Sequence, residues 1–497
     1  MEWTNWLALL DGHDYTIARE VILRGVAAVF VLAFLSTLNQ FPALLGERGL
    51  LPVPEYFERP GARHAPSLFH WRRTPYSDRL LRIMCVAGIV LGLSVVLGIA
   101  QLGPAWTTIP VFLIMWGLYL SIHSVGQTFY SFGWESMLLE CGFIVGFLGS
   151  HQVAPPLLIL WFLRWMLIRL EFGAGMIKMR GDQSWRDLTA MDHHHQTQPM
   201  PNPLSRRAHL TPHWWHRLEV LGSHAIQLGV IWLVLLPQPI ASIAAVLVIL
   251  SQLFLVVTGN YAWLNWLTII VAFSAISDSF LRWIVGGPWP GWGWQNLPIG
   301  PDGTTGTEGG EASPLWWHLL IIAVFVFLAV LSWKPLKNLF SRYQLMNASF
   351  NRFHLVNAYG AFGSMTERRF EVVIEGTLAE DPESADDEAW RPYEFKGKPG
   401  DVRRRSRQFA PYHLRLDWQM WFLALRPGAQ AWFVALLEKL REGDPAIRRL
   451  LRTDPFDGAA PTALRVKYYE YRYATAAERR ETGNWWTRTE LGVIARL

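Results

Sequence analysis

Apolar residues in this chain come in long runs before residue 334 and in short alternating or helical groups after it. A spanning helix needs about 20 predominantly apolar residues. Residues 21–38, 83–101, 240–258 and 315–333 meet that requirement outright, and 107–123, 136–149, 157–172, 220–236 and 263–284 are shorter or interrupted by polar positions. The pattern therefore predicts an α-helical polytopic membrane domain of eight or nine spans over residues 1–333, followed by a soluble α+β domain over 334–497. In that tail, 370–375 (FEVVIE) and the Tyr-rich 464–473 read as strands, and 431–452 has helical spacing broken by Gly443 and Pro445. The N-terminus lacks the layout of a cleavable signal peptide, because the run 21–38 continues into Asn39, Gln40 and Pro42; it reads as a retained first span.

Composition agrees with the pattern. Charged residues make up 17% of the chain, against roughly 25% in soluble domains. Of the 85 charged residues, 48 fall in the last 164 positions. Two cysteines inside apolar runs, Cys85 and Cys141, cannot build a disulfide framework. A net charge of +5 gives no reason to expect nucleic acid. Basic residues crowd the side of the tail: Arg72, Arg73, Arg79 and Arg82 precede the second span, and Lys334, Lys337 and Arg342 follow the last. The opposite loop, 286–314, has neither Lys nor Arg, and its prolines and glycines predict irregular structure. With nine spans, the positive-inside rule places the tail in the cytoplasm.

Ionisable residues in spanning segments are costly and usually face a partner or a cavity. Glu135 and Glu140 open one span, and Arg164 and Arg169 lie in the next. Folding that hairpin about residue 152 sets Glu140 opposite Arg164 and Glu135 opposite Arg169, as a buried polar cluster that either fixes helix register or lines a functional cavity. The two glutamates are about 140° apart on a helix and cannot share one narrow face. A second concentration runs from Glu171 to His224. Lys178 follows a Gly-Ala-Gly-Met-Ile segment, where desolvation favours loss of its proton, although a lysine snorkelling to the interface satisfies the same pattern. His193, His194 and His195 point in different directions on any backbone, and no helical His-x-x-x-His pair accompanies them, so no metal is expected. His216, Glu219 and His224 line one polar surface at a span entrance or act as membrane-edge anchors.

Several segments resemble the lipase maturation factor family: Gly126-Gln127-Thr128-Phe129-Tyr130, Trp134-Glu135-Ser136, 187–192, 197–203, 214–219, Asn357-Ala358-Tyr359-Gly360, Val373-Ile374-Glu375-Gly376, 390–396 and Pro411-Tyr412-His413. They run in order through both halves. The chain departs where the family pattern has an aromatic-His-aromatic-Glu sequence and this one has His193-His194-His195-Gln196; only His194 carries over, and a role needing a carboxylate at 196 does not. The resemblance implies a multi-pass membrane protein that helps secreted dimeric lipases reach their active fold, has no known reaction or cofactor, and in animals sits in the endoplasmic reticulum. Residues 174–185 show a weaker similarity to the vitamin K-dependent gamma-carboxylase region that contains its lysine base. Both resemblances place the tail on the lumenal or extracytoplasmic side, opposite to the charge rule.

Two function classes follow. One is a membrane-anchored folding factor or chaperone whose partners are the lipid bilayer and an exported client such as a lipase, held on exposed aromatic surface at Trp185, Trp418, Trp421, Trp485 and Trp486. The alternative is an integral-membrane enzyme acting on a lipid or quinone-linked substrate, with Lys178 as base and His194 or His216 as hydrogen-bond partner. The expected location is the endoplasmic reticulum membrane in a eukaryotic host and the plasma membrane in a bacterial one. A transporter is disfavoured by the lack of a repeated pair of broken spans.

Overall fold

The structure, a computed structural model, describes residues 6–62, 65–71, 73–285 and 313–497. Almost all of the proline-rich loop 286–314, and Arg72, lie outside the described residues. Among the described residues, twelve α-helices of at least eight residues form the front of the chain: α1 (Thr16–Leu44), α2 (Asp78–Val96), α3 (Thr108–Ser124), α4 (Gly133–Val145), α5 (Leu157–Arg180), α6 (Ala190–Thr197), α7 (His213–His224), α8 (Ile240–Thr258), α9 (Leu264–Ala272), α10 (Asp278–Val285), α11 (Leu315–Leu331) and α12 (Trp333–Phe340). Helix α1 is apolar on nearly every side and buried along most of its length, as a central helix must be. Its first turn is capped by a residue more than 260 positions away: Asp278 Oδ2 accepts from the Thr16 amide at 2.8 Å and Oδ1 from that of Ile17 at 3.0 Å.

Among the described residues, five helical stretches are long and apolar enough to cross a membrane: His13–Leu44, Asp78–Val96, His213–Leu235, Ile240–Thr258 and Leu315–Phe340. A sixth is made if the pair Leu264–Ala275 and Asp278–Val285, bent by 100° at the break, counts as one span. The predicted segments 136–149 and 157–172 are helical, as α4 and α5, but differ in character from lipid-facing spans. Nearly every residue of α4 is buried in protein, and Arg164, Arg169 and Glu171 interrupt the apolar face of α5.

The tail carries one antiparallel sheet in the order β2-β1-β3-β4, built from β1 (Arg369–Thr377), β2 (Arg391–Pro392), β3 (Ala463–Tyr473) and β4 (Trp486–Arg496). The two strands expected from sequence are β1 and β3, paired with Glu371 opposite Tyr469. The sequence reading left out β4 and helix α13 (Arg415–Leu425). Helix α14 (Ala431–Arg441) ends where Gly443 adopts φ +69°, ahead of Pro445, as the breakers predicted. In the acidic segment 380–388, Asp387 pairs with Arg465 on β3 at 2.7 Å, while Arg404 turns inward to the Phe395 carbonyl at 2.7 Å.

The tail is tied into the bundle. The His413 carbonyl accepts from Ser36 Oγ at 3.1 Å and Gln40 Nε2 at 2.7 Å, both on α1. Arg415 reaches the fully buried Glu135 at 2.7 Å and also donates to the Phe129 carbonyl, while Tyr119 closes on the other carboxylate oxygen. Glu140 pairs with Arg169, and its second oxygen accepts from the Asn357 amide at 2.7 Å and Tyr359 Oη at 2.8 Å. The expected pairing is thus corrected: Arg169 belongs to Glu140, and Glu135 takes its cation from the tail. Arg164 donates instead to the carbonyl of Ser274 at 3.0 Å and to Tyr15 Oη at 3.0 Å. On the sheet, Arg369 pairs with Glu371 at 2.6 Å and donates to the carbonyls of Gln196, Gln198 and Pro199, which fastens β1 to the 190s loop.

Removing one partner of a buried ion pair leaves an uncompensated charge and costs about 3–5 kcal/mol, whereas replacing both by apolar groups can be nearly neutral. Arg415→Met alone should therefore lower the thermal unfolding temperature of the detergent-solubilised protein sharply, and Arg415→Met with Glu135→Met should recover most of the loss. Additive losses in the double variant would show that the pair does not act as a unit.

Candidate functional site

Between the bundle and the tail lies a cavity of about 700 Å³. Helix α5 supplies Glu171 and Lys178, α7 supplies Glu219 and Ser223, and α8 and α9 supply Gln252 and Asn265. The other walls are aromatic: Phe132, Trp134, Trp185, Tyr359, Phe362, Trp418, Trp421 and Phe422. A large, mostly apolar cavity with a few convergent polar groups is the usual form of a ligand site. A second concavity, bordered by Arg404, Arg405, Arg407 and Arg452, is a basic groove on the tail.

A continuous hydrogen-bonded chain runs along the polar wall. Lys178 Nζ donates to Ser223 Oγ at 2.9 Å, and Ser223 Oγ to Gln227 Oε1 at 3.3 Å. Gln227 Nε2 donates to Glu171 Oε2 at 3.1 Å, Gln252 Nε2 to Glu171 Oε1 at 2.6 Å, and Asn265 Nδ2 to Gln252 Oε1 at 2.7 Å. Glu171 is thus held by amides, which keep a buried carboxylate hydrogen-bonded. The Lys178 ammonium also sits 4.3 Å from the centre of the Trp185 ring, a cation–π distance. Lys178 is buried, facing the cavity, and does not snorkel outward, so the interfacial-anchor reading of this residue is corrected.

His194 enters the same cavity from α6, its Nε2 2.8 Å from Tyr261 Oη. Tyr261 gives its own proton to Gln198 Oε1 at 2.7 Å, so the hydroxyl oxygen accepts and His194 carries its proton on Nε2. Burial, with His195 and Lys178 nearby, pushes His194 down to about 3, so it is neutral at physiological pH. His216 stands apart from this wall and bonds Glu219 at 3.1 Å. Gln196, at the departure from the family pattern, accepts from the Tyr473 amide at 3.0 Å and serves the tail junction.

The tryptophans expected as exposed partner-binding surface are mostly inside. Trp185, Trp418 and Trp486 are buried; Trp486 stacks on Tyr473 at 4.0 Å between ring centres. Trp421 is half-buried with its indole N–H on the Thr197 carbonyl at 3.1 Å, and Trp485 is half-buried under Arg479. Three of them, Trp185, Trp418 and Trp421, face the cavity instead of solvent. The sequence places Glu171 only at the start of a polar stretch, and Gln227, Gln252, Asn265 and Tyr261 are not singled out there. Polar residues within apolar spans were the available signal for Gln252 and Asn265.

The sequence profile of the lipase maturation factor transmembrane domain matches residues 17–283, and that of the lipase maturation factor C-terminal domain matches 355–495. Lipase maturation factor 1 of Mus musculus is 37% identical over 98% of this chain and 88% of its own length, and that of Homo sapiens is 36% identical over the same shares. Lipase maturation factor 2 of Homo sapiens is 28% identical over 95% of this chain and 81% of its own. No solved structure matches the chain. With both halves matched in order, and identity above a third across nearly the whole length, the chain is a member of the lipase maturation factor family.

Proposed function

We propose that this integral membrane protein is a maturation factor for exported lipases. The observation that carries the reading is similarity through both the membrane and C-terminal parts to proteins named for that role. Residues 334–497 act as the client-facing domain, on the side of the membrane where exported proteins fold. That side is the lumen of the endoplasmic reticulum in a eukaryotic host and the cell exterior or periplasm in a bacterial one.

Nine passes accord with this arrangement. The C-terminal ends of α1 and α8 and the N-terminal ends of α4 and α9 gather at the tail, through Gln40, Trp134, Asn260 just past α8, and Trp263. The start of α1 meets Ser150, Val153 and Asp278 at the other end. Helix α3 and the buried α4 then make short passes, and α5, 24 residues long, makes one interrupted by Arg164, Arg169 and Glu171, so length and apolarity alone do not count them. Strand β4 supplies a contact surface for a client. It is an edge strand of eleven residues with Leu491, Val493 and Ile494 exposed, and a long apolar edge is a template for an incoming extended segment.

Single cysteines at the exposed positions Ser384 and Thr482, in a background lacking the buried Cys85 and Cys141, test the orientation. An impermeant thiol reagent should label both in intact bacterial cells, or fail to reach them in sealed microsomes. The reverse pattern would place the tail in the cytosol and sink the maturation role.

The client surface and the enzyme reading separate by mutation. Leu491→Lys with Ile494→Lys should cut the yield of active co-expressed lipase several-fold with the factor still folded, because charge on an edge blocks strand addition. Lys178→Met should leave that yield within about twofold. The enzyme alternative, which the comparisons do not favour, requires the opposite: loss with Lys178→Met and no effect at the edge.

A further inference from the structure

We propose that His195, His216 and Glu219 form a binding site for a divalent transition-metal ion of the zinc class. Their ligand atoms lie within 4.8 Å of one another, brought together from α6 and α7. His195 Nε2 is 3.2 Å and His216 Nδ1 3.1 Å from the same oxygen, Glu219 Oε2. All three side chains are at least nine-tenths buried.

The hydrogen-bonding partners fix the tautomer of His216. Its Nε2 faces the His209 carbonyl at 3.3 Å and the Thr211 hydroxyl at 3.4 Å. Thr211 already donates to the Ala208 carbonyl at 2.7 Å, so both neighbours of Nε2 are acceptors and the proton must sit on Nε2. A neutral His216 then aims the Nδ1 lone pair at a carboxylate oxygen that has no proton to give. A cation must stand between them, either a second proton on the ring or a metal ion.

Two further features select the metal. Among the described residues Glu219 Oε1 is buried and has no hydrogen-bond partner, which a proton on His216 does nothing to relieve but a chelated ion does. A second imidazole, His195, converges on the same point. A ring whose far N–H is held by a backbone carbonyl is the usual support of a metal-bound histidine. Two imidazoles and a carboxylate without thiolate suit zinc and leave a fourth position free. Glu219 also belongs to the cavity wall, so the site borders the cavity. Three adjacent histidines cannot chelate as a group; the fold takes one of them, His195, and completes the set with the His216-x-x-Glu219 pair, which lies on one helical face.

The test is metal content of the full chain, purified without a histidine tag in detergent, loaded with Zn²⁺ and desalted. About one zinc per chain is expected in the parent and in His213→Gln, whose side chain is exposed; less than a tenth of that is expected in His195→Gln, His216→Gln and Glu219→Gln. Zinc below a tenth of an equivalent in the parent, or unchanged content in all three variants, overturns the proposal. Should the variants fail to fold, Co²⁺ added to the parent decides. Intense visible bands of a four-coordinate site that Zn²⁺ abolishes support the site, and their absence overturns it.

Discussion

Two carboxylates on one short helix, Glu135 and Glu140, are fully buried five residues apart, and the rest of the architecture is arranged around satisfying them. Neither can be left alone in a low-dielectric interior. Because the helical turn points them in different directions, one partner set cannot serve both. Glu140 is met from the neighbouring helix and from the Asn357-x-Tyr359 segment just after the last apolar helix; Glu135 is met from Arg415, some 280 residues away. The tail is thereby required for the interior of the bundle to be electrostatically complete.

That requirement also makes the cavity. Once Arg415 and His413 anchor α13 against the ends of α1 and α4, Trp418, Trp421 and Phe422 are carried over the space between α5 and α7. Arg369, holding three carbonyls of the 196–199 segment, fixes the other side. The cavity has a floor of membrane helices and a roof of tail residues, so tail and bundle cannot move apart without opening it. Any ligand there, or a partner that strains the tail, acts on the same contacts.

The membrane half was legible because hydrophobic runs are a local signal, and β1 and β3 because Val, Ile and Tyr runs mark buried strands. Helix α13 was missed since its segment, Arg415 to Leu425, mixes buried charge with aromatics and has no solvent-facing stripe: Arg415, Asp417 and Gln419 are as buried as Leu416 and Trp418. The Glu–Arg pairing failed for a related reason. A hairpin argument ranks partners by sequence distance, and the actual partner of Glu135 came from the far end of the chain. The tryptophans were read as surface because the sequence could not show that a bundle lay beneath them.

Buried charge is an ambiguous sign, since ion networks that hold a fold perturb their groups as much as catalytic sites do. What separates the two here is the completeness of the partners. Both oxygens of Glu135 and both of Glu140 are bound by cations, hydroxyls or amides supplied by distant elements, which is the form of a structural clasp. Glu219 keeps one bare oxygen and two imidazoles on the other. Among the described residues, Lys178 has one hydroxyl partner and a ring, and it faces the open cavity. The clasps account for the shape of the molecule, and the incompletely bound groups, collected on one wall, mark where it has bonding capacity left for something it does not itself contain.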